Sequence, residues 1–195
     1  MRMSWLTLSA LFLASLLSSG CAPLVLIGGA AATASVVHDR RTTGSIVEDQ
    51  AIELRIKNAL GEDKDIADQS HINVTSYNGI VLLSGEAPSQ ALRTRAGEIA
   101  RKDKQARRVH NEIQIAAPSS AMTRSSDSWI TTKTKSSLVG LDIKGFDPTR
   151  VKVVTENGTV FLMGMVYHRE ADAVVAQTQQ VSGVQRIVKL FEYLD

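Results

Sequence analysis

The sequence predicts an α+β protein of two small α-β-β-α-β modules, each a three-stranded mixed sheet with two helices, packed together. Three observations carry that reading. The first is an internal repeat: Asp49, Ile52, Lys57 and Leu60 recur 78 residues later as Asp127, Ile130, Lys135 and Leu138. Val74, Asn78, Gly79 and Gly85 recur 79 residues later as Val153, Asn157, Gly158 and Gly164, so the copies differ by a one-residue loop insertion. The second is an Asn-Gly pair between apolar runs in each copy, the strongest short hairpin signal because both residues tolerate positive φ. The third is apolar spacing of three and four residues on either side of each hairpin, the mark of an amphipathic helix.

Taken in order, Asp49 is a candidate N-cap, Ile52, Ile56, Ala59 and Leu60 form a helical stripe, and Gly61 lies past the helix end. Residues 72–76 and 80–84 flank Tyr77-Asn78-Gly79 as a hairpin. Ser89 caps a second helix reaching about Arg108, after which Val109, Ile113 and Ile115 alternate with His110, Glu112 and Gln114 as a third strand. The second copy repeats the order. Asp127 is its cap, residues 151–154 and 159–163 surround the Asn157-Gly158 turn, a helix covers about 169–181, and 187–194 is the last strand.

The second strands, Ile80-Val81-Leu82-Leu83 and Val160-Phe161-Leu162-Met163, are apolar on both faces. A half-exposed sheet would alternate instead. A module of about 65 residues buries only about 60% of its unfolded surface and is marginal alone. Helices are therefore expected on one face of each sheet and the other module on the opposite face.

With 22 Lys and Arg against 20 Asp and Glu, the chain's net charge of +2 gives no electrostatic argument for a nucleic-acid partner. Its 44% hydrophobic content is that of a globular protein. The single cysteine, Cys21, can neither close an internal bridge nor build a thiolate metal cluster. No cofactor, metal or catalytic machinery is expected. His110-Asn111-Glu112 and His168-Arg169-Glu170 match half of a zinc-deaminase signature, but the paired cysteines of its other half are missing.

Cys21 closes an N-terminal address. Met1-Arg2-Met3-Ser4 is a basic start, residues 5–17 are an uncharged apolar run too short to span a bilayer, and Leu17-Ser18-Ser19-Gly20-Cys21 ends in small residues. That ending resembles the lipobox of bacterial lipoproteins, with Ser18 where the pattern prefers Leu. The resemblance implies a signal peptide over 1–20 and acylation of Cys21. Ala22 after the cysteine implies the periplasmic face of a Gram-negative outer membrane. The expected organisation is a lipidated tether over 21–46, a first module over 47–116, a linker over 117–123 containing Ala117-Pro118-Ser119-Ser120, and a second module over 124–195.

The repeated module, with Tyr77-Asn78-Gly79-Ile80-Val81-Leu82-Leu83-Ser84-Gly85 and Glu156-Asn157-Gly158-Thr159-Val160-Phe161-Leu162-Met163-Gly164, resembles the BON domain. Two such modules behind a lipobox resemble the dual-BON outer-membrane lipoproteins of Gram-negative bacteria. That resemblance implies a role in envelope integrity, enrichment at the division septum, and binding of anionic phospholipid, phosphatidylglycerol or cardiolipin, by the second module.

The first helix of the second module supplies the chemistry for such a partner. Trp129 lies roughly 120° from the centre of the face formed by Ile130, Thr134, Ser137, Leu138 and Leu141, with Lys133 one turn further on. A Trp beside cations suits the headgroup layer. The expected lipid-binding residues are Trp129, Ile130, Lys133, Lys135 and Leu138. By residue type alone Trp129 fits equally a plug in the cleft between modules, and the resemblance favours the lipid reading. Ala51 and Arg55 are the counterparts in the first module. A basic run, Arg101, Lys102, Lys104, Arg107 and Arg108, reads as a solvated helix end. The alternative function is a protein-interaction scaffold that modulates outer-membrane protein assembly or cell-wall enzymes.

Overall fold

The computed structural model describes residues 39–195. Cys21, the signal segment and most of the expected tether lie outside the described residues. The first module runs α1 (Thr43–Glu62), α2 (Lys64–Gln69), β1 (His71–Tyr77), β2 (Ile80–Ala87), α3 (Gln90–Arg101), β3 (Arg108–Asn111) and β4 (Gln114–Ile115). The second runs α4 (Ala121–Val139), a 3-10 turn (Pro148–Arg150), β5 (Val151–Glu156), β6 (Thr159–Val166), α5 (His168–Gln179) and β7 (Arg186–Tyr193).

In each module the hairpin is antiparallel and the last strand joins its second strand in parallel, so β2 and β6 are the central strands. The tight turns are as expected: Asn78 and Asn157 have φ of 51° and 46°, followed by Gly79 and Gly158 at 74° and 70°. The repeated glycine six residues on has a steric cause. A Cβ on Gly164 would stand 2.5 Å from the Arg150 carbonyl oxygen, and one on Gly85, at φ 110°, would collide with the His71 carbonyl. Neither hairpin could close its ladder around a side chain there.

Strand alternation then distributes three cores. Val81, Leu83 and Ala87 point into α1, α2 and α3, among Ile52, Ile56, Leu60, Ile66, Leu92 and Ala96. Val160, Leu162 and Val166 do the same beneath α4 and α5, among Ile130, Leu138 and Val174. The opposite faces meet each other: Tyr77, Ile80 and Leu82 pack with Phe161, Met163 and Leu190. Helices, sheet, sheet and helices thus form four layers, and the double-sided apolar strands are explained. Val81 is fully buried and Phe161 nearly so, but on different faces, the first against helices and the second against the other module.

Polar contacts tie the modules at the rim of that shared core. The Asn78 amide donates to Glu192 at 2.7 Å and the Asn157 amide donates to Glu86 at 2.6 Å, so each hairpin turn grips a carboxylate of the other module. Lys152 reaches Glu53 at 2.8 Å, and the Tyr77 hydroxyl donates to the Arg150 carbonyl at 3.1 Å. Burial pushes the Tyr77 phenol up to about 12.

Several boundaries differ from the sequence expectation. Helix α1 begins six residues before Asp49, capped by Thr42, whose hydroxyl accepts from the Ser45 amide. Ser120 likewise caps α4 in place of Asp127. Gly61 lies inside the last turn of α1, and the short α2, capped by Asp63, was not anticipated. Ser89 caps α3 as expected, but that helix ends at Arg101, because the chain reverses around Asp103 so that the Arg107 amide can reach the Gly79 carbonyl. The third strand is broken between Asn111 and Gln114. The break turns Ile113 into the helical core and leaves Ile115 exposed, where an unbroken strand would put both on one face.

Nor is the stretch before the first module all tether. Arg40 forks onto both oxygens of Glu170 at 2.6 and 2.8 Å and donates to the Met165 carbonyl, and Arg41 bonds Asp49 at 2.8 Å while lying 3.8 Å over the Tyr77 ring. Residues 40 and 41 therefore strap the chain across both modules.

Candidate functional site

Asp49 and Asp127 are the least expected polar residues of the interior. Each is buried on the inner side of its helix and accepts from both turn amides of the following hairpin. Asp49 takes Asn78 N at 2.7 Å, Gly79 N at 2.8 Å and the Ser76 hydroxyl at 2.6 Å, and Asp127 takes Asn157 N and Gly158 N at 2.9 Å each. A turn with two consecutive positive φ values leaves these N–H groups pointing inward, and a carboxylate is the acceptor that serves both. The repeated aspartates thus position the first helix on its hairpin rather than starting it. The signal was in the sequence, since aspartate and Asn-Gly recur together.

That clamp sets the rotation of α4. Ile130 and Leu138 turn into the second core, so these two expected lipid contacts are corrected: they are buried and hold the helix in place. Trp129 is 61% exposed and points away from both modules, and Lys133 stands with its ammonium 5.2 Å from the Trp129 ring centre. This cation–π pair keeps the ring and charge together on the outer face. Lys135 is also exposed. Two apolar neighbours join them, Met122 at 80% and Val139 at 73% exposure. Met122 was missed in the sequence, although its spacing of seven from Trp129 places it on the same line of the helix. Asp127 is the helix's single acidic side chain and faces inward, so Arg124, Lys133 and Lys135 meet no carboxylate on their own element.

The equivalent helix of the first module is different in kind. Ala51 replaces the tryptophan, and Arg55, the counterpart of Lys133, is held by Asp103 at 2.7 Å and Glu48 at 2.8 Å. Val47 and Leu54 are exposed there, among mixed charges.

Beside α4 an open cleft of about 570 Å³ runs to the first module, lined by Arg124, Ser128, Thr132, His71, Asn73 and Glu156. Burial pushes the Glu156 carboxyl above its ordinary range, helped by nearby Glu86 and opposed by the Asn73 amide donating at 2.5 Å. A carboxyl that is easier to protonate when folded stabilises the fold most at acid pH. That contribution falls as pH rises through the raised value and is constant above it. Glu156→Gln is therefore expected to remove a loss of stability that sets in as the pH rises above the ordinary carboxylate range. The check is the difference between the two proteins' urea midpoints from that range upward, which should grow with pH.

Among the described residues no three His, Cys, Asp or Glu side chains gather to hold a metal, and no helix is long and apolar enough to cross a membrane. His110 sits at the edge of its sheet, where burial and Arg108 lower its pKa.

Paired α-β-β-α-β modules joined sheet to sheet, with one outer helix carrying an apolar and cationic stripe, define a class of two-module α+β proteins. Residues 48–117 and 126–195 each match the BON domain, and the chain belongs to that family, as a dual-BON protein of the DolP type. It is 38% identical over 189 residues to the outer membrane lipoprotein DolP of Haemophilus influenzae, covering 96% of both chains. It is 36% identical over 157 residues to a 21 kDa hemolysin of Actinobacillus pleuropneumoniae, covering 80% of this chain and 79% of that one. Among solved structures, the C-terminal domain of CdsD, a structural protein of the type III secretion system of Chlamydia trachomatis, aligns with a TM-score of 0.29. The identity is 19%, over 75% of this chain and 67% of the other.

Proposed function

We propose that this protein is an outer-membrane lipoprotein, anchored through acylated Cys21 on the periplasmic face, that binds anionic phospholipid through α4. In that role it supports envelope integrity at the division septum. The observation that carries the reading is the outer face of α4, where Met122, Trp129 and Val139 are exposed beside Lys133 and Lys135 with no facing carboxylate on the helix. Indole rings settle at headgroup depth, and each Lys gains about 1 kcal/mol near an anionic surface. Acyl chains on Cys21 would hold the protein at the bilayer, so that α4 reads lipid already close by.

Trp129→Glu tests this. Binding to vesicles containing phosphatidylglycerol or cardiolipin should weaken by about tenfold or more, since an apolar contact is replaced by a charge repelled from the surface. The urea midpoint should stay unchanged, because the side chain is exposed. Unaltered sedimentation with anionic vesicles would refute the assignment. A second reading, a scaffold contacting the outer-membrane assembly machinery or cell-wall enzymes, is favoured by Val47 and Leu54 on α1, whose mixed-charge surroundings suit a protein surface better than an anionic bilayer.

A further inference from the structure

The first module carries a concentration of charge that the α4 reading does not use. Between α3 and β3 the chain presents Arg101, Lys102, Lys104, Arg107 and Arg108, all exposed. Among the described residues only Arg107 has an acidic partner, Glu192 at 2.7 Å. Asp103, the one carboxylate within the segment, is turned inward onto Arg55 at 2.7 Å. The same segment of the second module, residues 179–186, carries one charge, Arg186, which stands at the strand position of Arg108. Arg101, Lys102, Lys104 and Arg107 are matched there by Gln179, Gln180, Ser182 and Gln185, so these four cations are not imposed by the architecture.

The position of this loop gives the charge a direction. Its last residues are bonded to the first hairpin turn: Arg107 N donates to the Gly79 carbonyl at 2.7 Å, and the Arg107 guanidinium to the Asn78 carbonyl at 2.9 Å. The Asn78 and Gly79 amides are held by Asp49, and Asp49 is held by Arg41. One continuous network therefore joins the basic loop to the strap at residues 40 and 41. The cations sit at the end of the body where the described chain begins, at Asp39, 18 residues after Cys21.

We infer that residues 101–108 are a second membrane contact, an electrostatic dock for the anionic headgroups of the bilayer that holds the N-terminal anchor. This rests on the proposed lipidation of Cys21 and is separate from the Trp129 helix. The physics requires little of each side chain. Each cation is drawn toward an anionic leaflet, and a short tether keeps the loop at an effective concentration of order millimolar beside the surface. The contact is a matter of charge and fades in high salt, whereas the apolar stripe of α4 persists.

The experiment uses the mature, lipidated chain in vesicles. Cys21 is its single cysteine and, once acylated, leaves the thiol of a Gln105→Cys variant as the one site for a nitroxide label. A Ser136→Cys variant places the same label on the outer side of α4. Collision of the label with a water-soluble relaxation agent is measured in phosphatidylcholine alone and with about one part in three of phosphatidylglycerol. The expected result is at least a twofold fall in accessibility at Gln105→Cys with the anionic lipid, abolished by high salt and by Lys102→Glu with Lys104→Glu. Equal accessibility in both vesicles overturns the inference. Protection at Ser136→Cys alone refutes the loop and leaves the α4 reading standing, and protection at Gln105→Cys alone does the reverse. A chain that washes off the vesicles refutes the lipid anchor and this contact with it.

Discussion

Asp49→Ala is expected to cost about 3–5 kcal/mol, a large share of the 5–15 kcal/mol that holds a domain of this kind together. The carboxylate is almost fully buried, and its removal orphans the amides of Asn78 and Gly79 and the Ser76 hydroxyl at one stroke, and takes from Arg41 one of its two carboxylates, the other being Asp39 at 2.7 Å. A buried donor left without its acceptor costs about 1–3 kcal/mol, which is why the loss exceeds that of any one bond. Asp127→Ala should cost less, because it orphans the two turn amides only. The ranking of the two variants in urea denaturation is the test. Equal losses would mean that the arginine strap adds nothing to the clamp.

Phe161→Ala should cost about 3–5 kcal/mol, the usual range for deleting a large ring from a core that cannot collapse around the gap. Its distinguishing consequence concerns cooperativity. Phe161 belongs to neither module's own helical core but to the interior that Tyr77, Ile80 and Leu82 share with Met163 and Leu190. The wild-type chain is expected to unfold in a single transition reported alike by probes in both modules. The variant is expected to lower the midpoint of each, including a probe placed in the first module, far from the substitution in sequence. A first module that kept its wild-type midpoint would show that the two halves are stable independently.

Much of the architecture was legible because its cues are local or repeated. The Asn-Gly turns demand positive φ, and the doubly apolar β2 and β6 demand a cover on each face; both demands were met. What was not legible depends on distance. Asp49 and Asp127 sit where a cap would sit relative to the apolar stripe, and only their recurrence together with Asn-Gly marks the acceptor they supply to a turn 29 to 31 residues away. Thr42 and Ser120, the true caps, lie among polar residues with no apolar stripe to mark them. On α4, the helical wheel put Trp129 and Lys133 outward and Leu138 inward. Ile130 and Leu138 stood in the expected site although the same wheel sets them on the inward face with Thr134, and both are buried. The strap of Arg40 and Arg41 was invisible because its partner Glu170 lies 130 residues on.

The shared interior between the sheets has a further meaning. Leu82 and Phe161 occupy the same strand position one repeat apart and meet in one core, and each module's turn asparagine grips the other module. That is the pattern of a homodimer whose two subunits have become one chain. Identical subunits must carry every surface feature twice, on opposite sides of the assembly. Fusion lifts that obligation, so that one outer helix can bear Trp129 and its cations while its twin bears Ala51 and neutralised charge. The result is a molecule with a front and a back, which two copies of either half could not be.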